Sequence, residues 1–309
     1  MRFVLIPKDG SSWNDRLLYS FDCESDERMD VEVSVDDPHS GYHYATLKLR
    51  NITSGEVDIA PYLRCATQVV PLLATRPTLT RATTSLAVAV TIADIRSEIR
   101  TFHRAAVDAS TPRLLSQTLE RDKIGCGETI LATLFTPSQA RLSLTAIYAD
   151  GKSHQTSYML PSQGSMCEVA IPLDYFYDGI AELVVQIYGD GSLLSTTRYT
   201  VVERGDGARR LVWYNLDGGV ESYTFPASHR VCYKADVQRV VTSQWQSSQL
   251  RSMVVVRELL SAYESCEQME RIAKMLFSPY LFCVEDGRVE PVTLLNRSVE
   301  FDAHDTLRK

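Results

Sequence analysis

The feature that most constrains the fold is the dipeptide Asp-Gly, which recurs throughout the 309 residues. Its glycine accepts a positive φ at no steric cost, so the pair closes tight hairpins between strands. The aspartates concerned are Asp9, Asp150, Asp178, Asp190, Asp206, Asp217 and Asp286. Those at 150, 190 and 286 lie between runs of strand-like residues with visible alternation. These three predict β-hairpins, and the chain is predicted to be mainly β.

The strand-like runs divide the chain into three regions. Residues 1–111 hold several such runs, and the segment VDIAPYLR from Val57 to Arg64 is interpreted as a short closing turn. Residues 112–204 give about seven short strands at the spacing typical of a β-sandwich of the immunoglobulin or fibronectin III kind. The charged run ERGDGARR marks the second boundary. We therefore expect tandem β-sandwich domains over 1–111 and 112–204.

Residues 205–309 predict an α+β domain with one helix. Ser265 and Gln268 fit a capping box, apolar residues follow at helical spacing, and Pro279 stops the chain. The segment 249–263 favours a long strand because it contains the β-prone run Met253–Val256.

Composition limits the classes of binding partner and the cellular locations that are expected for this chain. The formal net charge is −7 and the basic residues are scattered, which argues against nucleic acid as a partner. The first residues hold too few apolar side chains for a signal peptide, and no run approaches the roughly 20 apolar residues of a membrane span. Seven cysteines without a CxxC pair suit reduced, partly buried thiols. We expect a protein made in a cytosol that does not enter a membrane.

Motifs for catalysis are missing from the sequence: it has no GxSxG, HExxH, P-loop or GxGxxG pattern. The loop DDPHSGYH carries Asp36, Asp37, His39 and His43, interpreted as a solvated turn with a weak cation site as the alternative. We predict no enzymatic activity, no cofactor and no metal. A deep cleft with carboxylates about 5–10 Å apart would instead indicate a glycosidase.

The segment PLDYFYDG places Tyr175, Phe176 and Tyr177 in succession. These rings could form a sugar-stacking platform, although consecutive residues of a strand face both sides and core packing is the favoured interpretation. Tandem sandwiches with such a platform are the basis of an alternative function, a carbohydrate-binding or adhesive surface module of a gut bacterium.

The stretch LVWYNLDGGVESYTFP, residues 211–226, combines aromatic residues with a glycine-rich turn. It predicts a strand, a turn and a strand, in which Trp213 can meet an aromatic residue across the pair. We assign a structural role to Trp213, Asn215, Gly218, Gly219, Tyr223 and Phe225.

This W-x-N-x-x-G-G segment with a Y-x-F strand behind it, followed by FSPYLFCVEDGRVEPV at 277–292, resembles virion-associated proteins of Bacteroidetes phages and prophages. VDIAPYLR is similar to a closing turn of the same proteins. Leu216 and Asp217 depart from the pattern, which puts the turn type in doubt. The resemblance implies a non-enzymatic tail or baseplate component that is virion-associated and contacts itself or other virion proteins.

Overall fold

The computed structural model describes residues 1–24, 26–67, 69–82, 85–105, 111–161, 165–176, 179–241 and 246–295. Side chains within these ranges are described except those of Ser165, of His229 and of 237–250. All statements below concern these residues.

The first region is a two-sheet sandwich. Its elements are β1 Arg2–Leu5, β2 Leu18–Asp22, β3 Met29–Asp36, β4 His43–Ile52, β5 Ser54–Asp58, α1 Ala60–Ala66, β6 Thr78–Arg81, β7 Ser85–Ile92, β8 Ile95–Arg96 and β9 Arg100–His103. One sheet has the order β1-β2-β5, and the other has β4-β3-β7 with β8 and β9 both paired to β7. Alternate residues of β3, such as Val31, Val33 and Val35, point into the shared core around Trp13 and Phe102.

The second region is a larger sandwich. Its elements are β10 Arg113–Leu114, β11 Arg121–Gly125, β12 Thr129–Thr136, β13 Gln139–Tyr148, β14 Ser153–Pro161, β15 Ser165–Pro172, β16 Ile180–Gly189 and β17 Ser192–Val202, with a 3₁₀ turn at Leu173–Tyr175. The sheet β11-β17-β16-β13-β14 is antiparallel except for the parallel pair β11 and β17. It faces β10-β12-β15 across a core that includes Leu134, Leu142 and Ile187.

The third region combines one sheet, one helix and a long hairpin. Its elements are β18 Arg209–Tyr214, β19 Val220–Phe225, β20 Ala227–Val241, β21 Gln246–Leu260, α2 Cys266–Ala273, β22 Leu281–Glu285 and β23 Arg288–Pro291, with a 3₁₀ turn at Lys274–Phe277 after α2. The sheet order is β19-β18-β22-β23, whereas β20 and β21 pair only with each other among the described strands.

The three regions are joined by shared structure. Strand β6 from the first region pairs with β15, so it completes a sheet of the second sandwich. The third region's sheet lays Val212 and Tyr214 on the outward-facing Leu131 and Ala170 of that same sheet. The boundaries at residues 111 and 204 stay predictions.

The predicted fold class is confirmed: mainly β, with tandem sandwiches and a helix near the C-terminus. The hairpins around Asp150, Asp190 and Asp286 form as predicted. At 190 and 286, both the aspartate and the following glycine have positive φ, the conformation of a type I′ turn.

The C-terminal helix and the long strand at 249–263 also form as predicted. The Ser265 hydroxyl accepts a hydrogen bond from Gln268 N at 3.2 Å, as expected of the cap. The long strand runs from Gln246 to Leu260 as β21.

One local prediction was wrong. VDIAPYLR ends strand β5 and then forms the seven-residue helix α1 rather than a simple turn. The Asp58 carboxylate accepts from Ala60 N at 3.1 Å, Pro61 occupies the first turn, and Leu63 is buried in the core. These contacts stabilise a helix that is too short to show a clear periodic pattern.

Candidate interaction surface

The four named positions of the W-x-N-x-x-G-G segment, Trp213, Asn215, Gly218 and Gly219, lie in the interior. Trp213, Tyr223 and Phe225 pack with Ile272 and Met275 between the third region's sheet and α2. The residue directly opposite Trp213 on β19 is Glu221. The aromatic residue that shares this face across the pair is Tyr223, which lies diagonal to Trp213 and belongs to the same cluster.

Asn215 fastens the turn between β18 and β19. Its side-chain oxygen accepts from Gly219 N at 2.9 Å, and its Nδ2 donates to Glu221 Oε1 at 2.8 Å and to Leu115 O at 3.0 Å. The last bond reaches the second region, 100 residues away in sequence. Asn215 therefore holds both the turn and a contact between regions.

The two glycines allow close approach of backbones. Gly218 has φ +81°, and a Cβ there would lie 2.9 Å from Arg104 O. A Cβ on Gly219 would overlap the Leu115 carbonyl group. Asn14 Nδ2 completes the contact by donating to Arg104 O at 2.9 Å and to Leu216 O at 3.3 Å. We call the turn Asn215–Gly219 with these neighbours the joint, because parts of all three regions meet there.

Leu216 and Asp217, which depart from the pattern of the virion-associated proteins, fit the turn without disturbing the hairpin. Leu216 is exposed, and the positive φ is taken by Gly218. The hairpin therefore accommodates both residues.

Buried ion pairs reinforce the same contacts. Arg210 Nη1 donates to Glu128 Oε2 at 2.8 Å, and both side chains are almost fully buried. Arg104 Nη2 lies 2.8 Å from Glu168 Oε1, and its guanidinium lies over the Tyr214 ring. Removing one member of such a pair leaves an uncompensated buried charge, so these pairs hold the regions in one arrangement.

A cleft of about 450 Å³ lies between the second and third regions. Four carboxyl groups line it: Glu203 is exposed, and those of Asp122, Glu221 and Glu264 are each engaged by a neighbour. Arg271 donates to Asp122 at 3.0 Å, and Tyr223 Oη donates to Glu264 at 2.9 Å. Glu221 accepts from Gln117 N at 2.6 Å. The first and third of these contacts connect the two regions across the cleft, whereas the bond between Tyr223 and Glu264 lies within the third region.

Burial raises the pKa of Glu221 to about 7, because the desolvated site disfavours the charged carboxylate. The hydrogen bonds from Gln117 N and Asn215 lower this pKa but do not offset the desolvation. Glu221 can therefore gain or lose a proton near neutral pH within the packed structure.

The other candidate segments are placed at the surface. The Asp37 carboxylate accepts from His39 N and Ser40 N, and His43 Nδ1 lies 2.7 Å from Asp36. Among the described residues, no three His, Cys, Asp or Glu side chains are grouped so that they could hold a metal.

In PLDYFYDG, Tyr175 is exposed, whereas Phe176 packs into the core of the second sandwich. Tyr177 lies outside the described residues. The described part of this segment therefore presents one ring to solvent and not a pair.

The hairpin formed by β20 and β21, which we call the arm, is much longer than the strand pattern of the sequence predicted. Each strand has 15 residues, so the arm spans about 50 Å. It is rooted in the third region by Leu259, which packs against the core between the sheet and α2, and by Ser228 Oγ, which lies 3.2 Å from Gly207 O. Each strand leaves one edge without a partner among the described strands.

The arm exposes apolar side chains. Tyr233 is directly opposite Val255, and Ala235 is opposite Met253, so these residues share a face with Val231. We call this set the apolar face of the arm. Tyr233 is 67% exposed and Met253 is 58% exposed. The opposite face mixes charged residues of β20 with valines of β21.

The described ranges contain no helix that is both long and apolar enough to cross a lipid bilayer.

Comparison with known proteins gives no family. No protein-family model and no curated protein match the chain. Among solved structures, the FN1–FN3 domains of chicken CNTN1 share 8% identity, with 94% of each chain covered and a TM-score of 0.22. A tetra-tandem repeat from the extending region of a large adhesion protein shares 11% identity over 84% of this chain and 72% of that one, with a TM-score of 0.21. Similarities this low carry no argument about function.

Proposed function

We propose that this chain is a non-enzymatic structural or assembly component of a phage or prophage particle. It is made in the bacterial cytoplasm and acts through contacts with copies of itself or with other virion proteins. The observation that carries the proposal is the arm, a long two-stranded ribbon with unpaired edges and an exposed apolar face.

A two-stranded ribbon of this kind is well suited to bind another protein chain. An isolated two-stranded hairpin is marginally stable in water, and unpaired strand edges are templates for pairing with another chain. A partner that adds a strand satisfies the free backbone groups and covers the apolar face. The root of the arm is held by Leu259, which packs against the core between the third region's sheet and α2.

The virion assignment is supported by the resemblance of residues 213–225 and 277–292 to virion-associated proteins. In the structure, these segments form β18, β19, β22 and β23, so they make up one sheet. The segment 213–219 also supplies the joint.

The test is the composition of the particle. Cells that carry the gene are induced, particles are purified on a density gradient, and the chain is quantified against the major structural proteins. A fixed ratio of several copies per particle is expected, with the signal co-sedimenting with intact particles. Recovery of the chain only in the soluble fraction overturns the virion assignment. A version lacking residues 229–258 serves as the matched control, and it should be lost from the particles.

The carbohydrate-binding alternative receives less support from the described residues. One exposed ring, Tyr175, is a small platform for a sugar. Binding of the intact chain to immobilised glycans, lost in Tyr175→Ala, would favour this alternative.

A further inference from the structure

The longest regularly paired segment of β20 is Arg230–Asp236. Irregularities in the pairing with β21 fall between Ser228 and Arg230 and between Asp236 and Val237. The seven residues between them form an unbroken stretch of strand whose other edge has no partner among the described strands. A regular, accessible edge of this length can accept another strand.

The two ends of this segment carry opposite charges. Arg230 and Asp236 are both exposed, and neither forms an ion pair within the described part of the chain. An antiparallel pairing centred on Tyr233 places Arg230 of each copy opposite Asp236 of the other. Tyr233 then lies opposite itself, on the two-fold axis.

The geometry of β-pairing permits this arrangement. Directly opposite residues of antiparallel strands share a face, and a two-fold axis perpendicular to the sheet keeps each residue on its own face. A symmetric pairing must therefore be centred on a residue, as it is at Tyr233. The pairing also continues the apolar face, since Val231 meets Ala235 of the second copy.

We propose that the arm binds the arm of a second copy through β20, with Tyr233 on the two-fold axis and reciprocal Arg230–Asp236 ion pairs. The product is a four-stranded antiparallel sheet with β21 at both edges. This inference rests on the proposed function, because it assumes that the arm makes contacts with protein. It adds that the partner is a second copy of this chain.

The outer edge of β21 is less suitable. Its uncharged run, Ser252–Val256, is centred on Val254. A two-fold pairing on Val254 places Arg257 opposite Arg251 of the second copy, and like charges directly opposite are destabilising.

Charge reversal followed by mixing tests the register. Arg230→Asp alone creates acidic pairs and Asp236→Arg alone creates basic pairs, so each variant should self-associate at least roughly 10-fold more weakly than the wild type. Mixing the two variants restores opposite charges at both positions, and a heterodimer should form. Analytical ultracentrifugation over a concentration series, at low and high salt, measures both effects.

The possible results of the ultracentrifugation experiment either support or overturn the proposed dimer. Dimers in the wild type and in the mixture, but not in either single variant, support the proposal. A wild-type chain that stays monomeric at all concentrations overturns it, as does a dimer that neither reversal weakens. The particle assay remains independent, because a chain found in particles without forming this dimer refutes the arm pairing and leaves the proposed function standing.

Cross-linking provides a second measurement. In a background where Cys232 and the exposed Cys65, Cys126 and Cys266 are serine, Tyr233→Cys should form a disulfide-linked dimer on mild oxidation, because residue 233 faces itself. Ala235→Cys is the matched control. Its copies lie about four residues apart along the strand and should not cross-link. Equal cross-linking at both positions contradicts the register.

Discussion

The joint and the arm are both hairpins of the third region, yet their residues have opposite environments. At the joint, the polar atoms of Asn215 bond to protein groups and two glycines press against neighbouring backbones. Along the arm, Tyr233, Met253 and Val254 are more than half exposed. The difference shows that a hairpin's role depends on what lies along its edges. The contacts of the joint hold the three regions together. The strand edges and apolar side chains of the arm remain exposed and can bind another chain.

The strongest way to break the joint is Gly219→Ala. The added Cβ overlaps the Leu115 carbonyl in a backbone contact that cannot rotate away, so we expect a loss of about 5 kcal/mol in the free energy of unfolding or failure to fold. Gly205→Ala is the control, since its Cβ would meet only Pro226 O at 3.7 Å. Urea unfolding measures both, and equal stability of the two variants would contradict the packing at the joint.

The buried pair Arg210–Glu128 tests whether charge also holds the regions together. Arg210→Met leaves Glu128 buried without its cation, with an expected loss of about 4 kcal/mol. Replacing both residues with apolar ones removes both charges, so the double variant should be more stable than Arg210→Met alone. A double variant as unstable as the sum of its single variants would show that the two side chains act independently.

Glu221 makes the stability of the joint depend on pH. Its pKa is raised to about 7 in the folded protein from its ordinary value of 4.5, so folding favours its protonated form. This contribution is fully present below pH 4.5 and is lost as pH rises through 7, with a total of about 3 kcal/mol. Glu221→Gln keeps the shape without the titration. The wild-type free energy of unfolding should therefore fall more steeply between pH 5 and 8 than that of the variant, and parallel slopes would contradict the assignment.

The parts of the fold that sequence predicted are those with local causes. An Asp-Gly pair specifies a turn through the backbone conformation of its own two residues. The cap of α2 is equally local, since Ser265 bonds to Gln268, three residues along the chain. The residue directly opposite Trp213, Glu221, could not be named from the sequence because the register of the pair depends on the whole turn. The placement of β6 beside β15 depends on a contact between residues about 90 apart, and no local pattern encodes it.

The candidate surface was predicted less well for a related reason. The β21 half of the arm contains the run Met253–Val256 and was recognised as a strand. In the β20 half, Val231, Tyr233 and Ala235 do alternate with Arg230, Lys234 and Asp236, but the stretch 237–250 contains no glycine, proline or asparagine that would mark a turn between two strands. The two strands of the arm therefore could not be separated by the turn signals that identified the other hairpins.

The last prediction compares two tyrosines, one on each hairpin, and includes the smallest expected effect on stability. Tyr223 is 7% exposed and Tyr233 is 67% exposed. Tyr223→Ala should cost about 4 kcal/mol through lost burial and the lost hydrogen bond to Glu264, whereas Tyr233→Ala should change the free energy of unfolding by at most about 0.5 kcal/mol. The measurement is made at protein concentrations low enough to keep the chain monomeric, so that only intramolecular contacts contribute. A large cost at Tyr233 under these conditions would mean that the arm folds against its own body, and its apolar face would then be unavailable to a second copy.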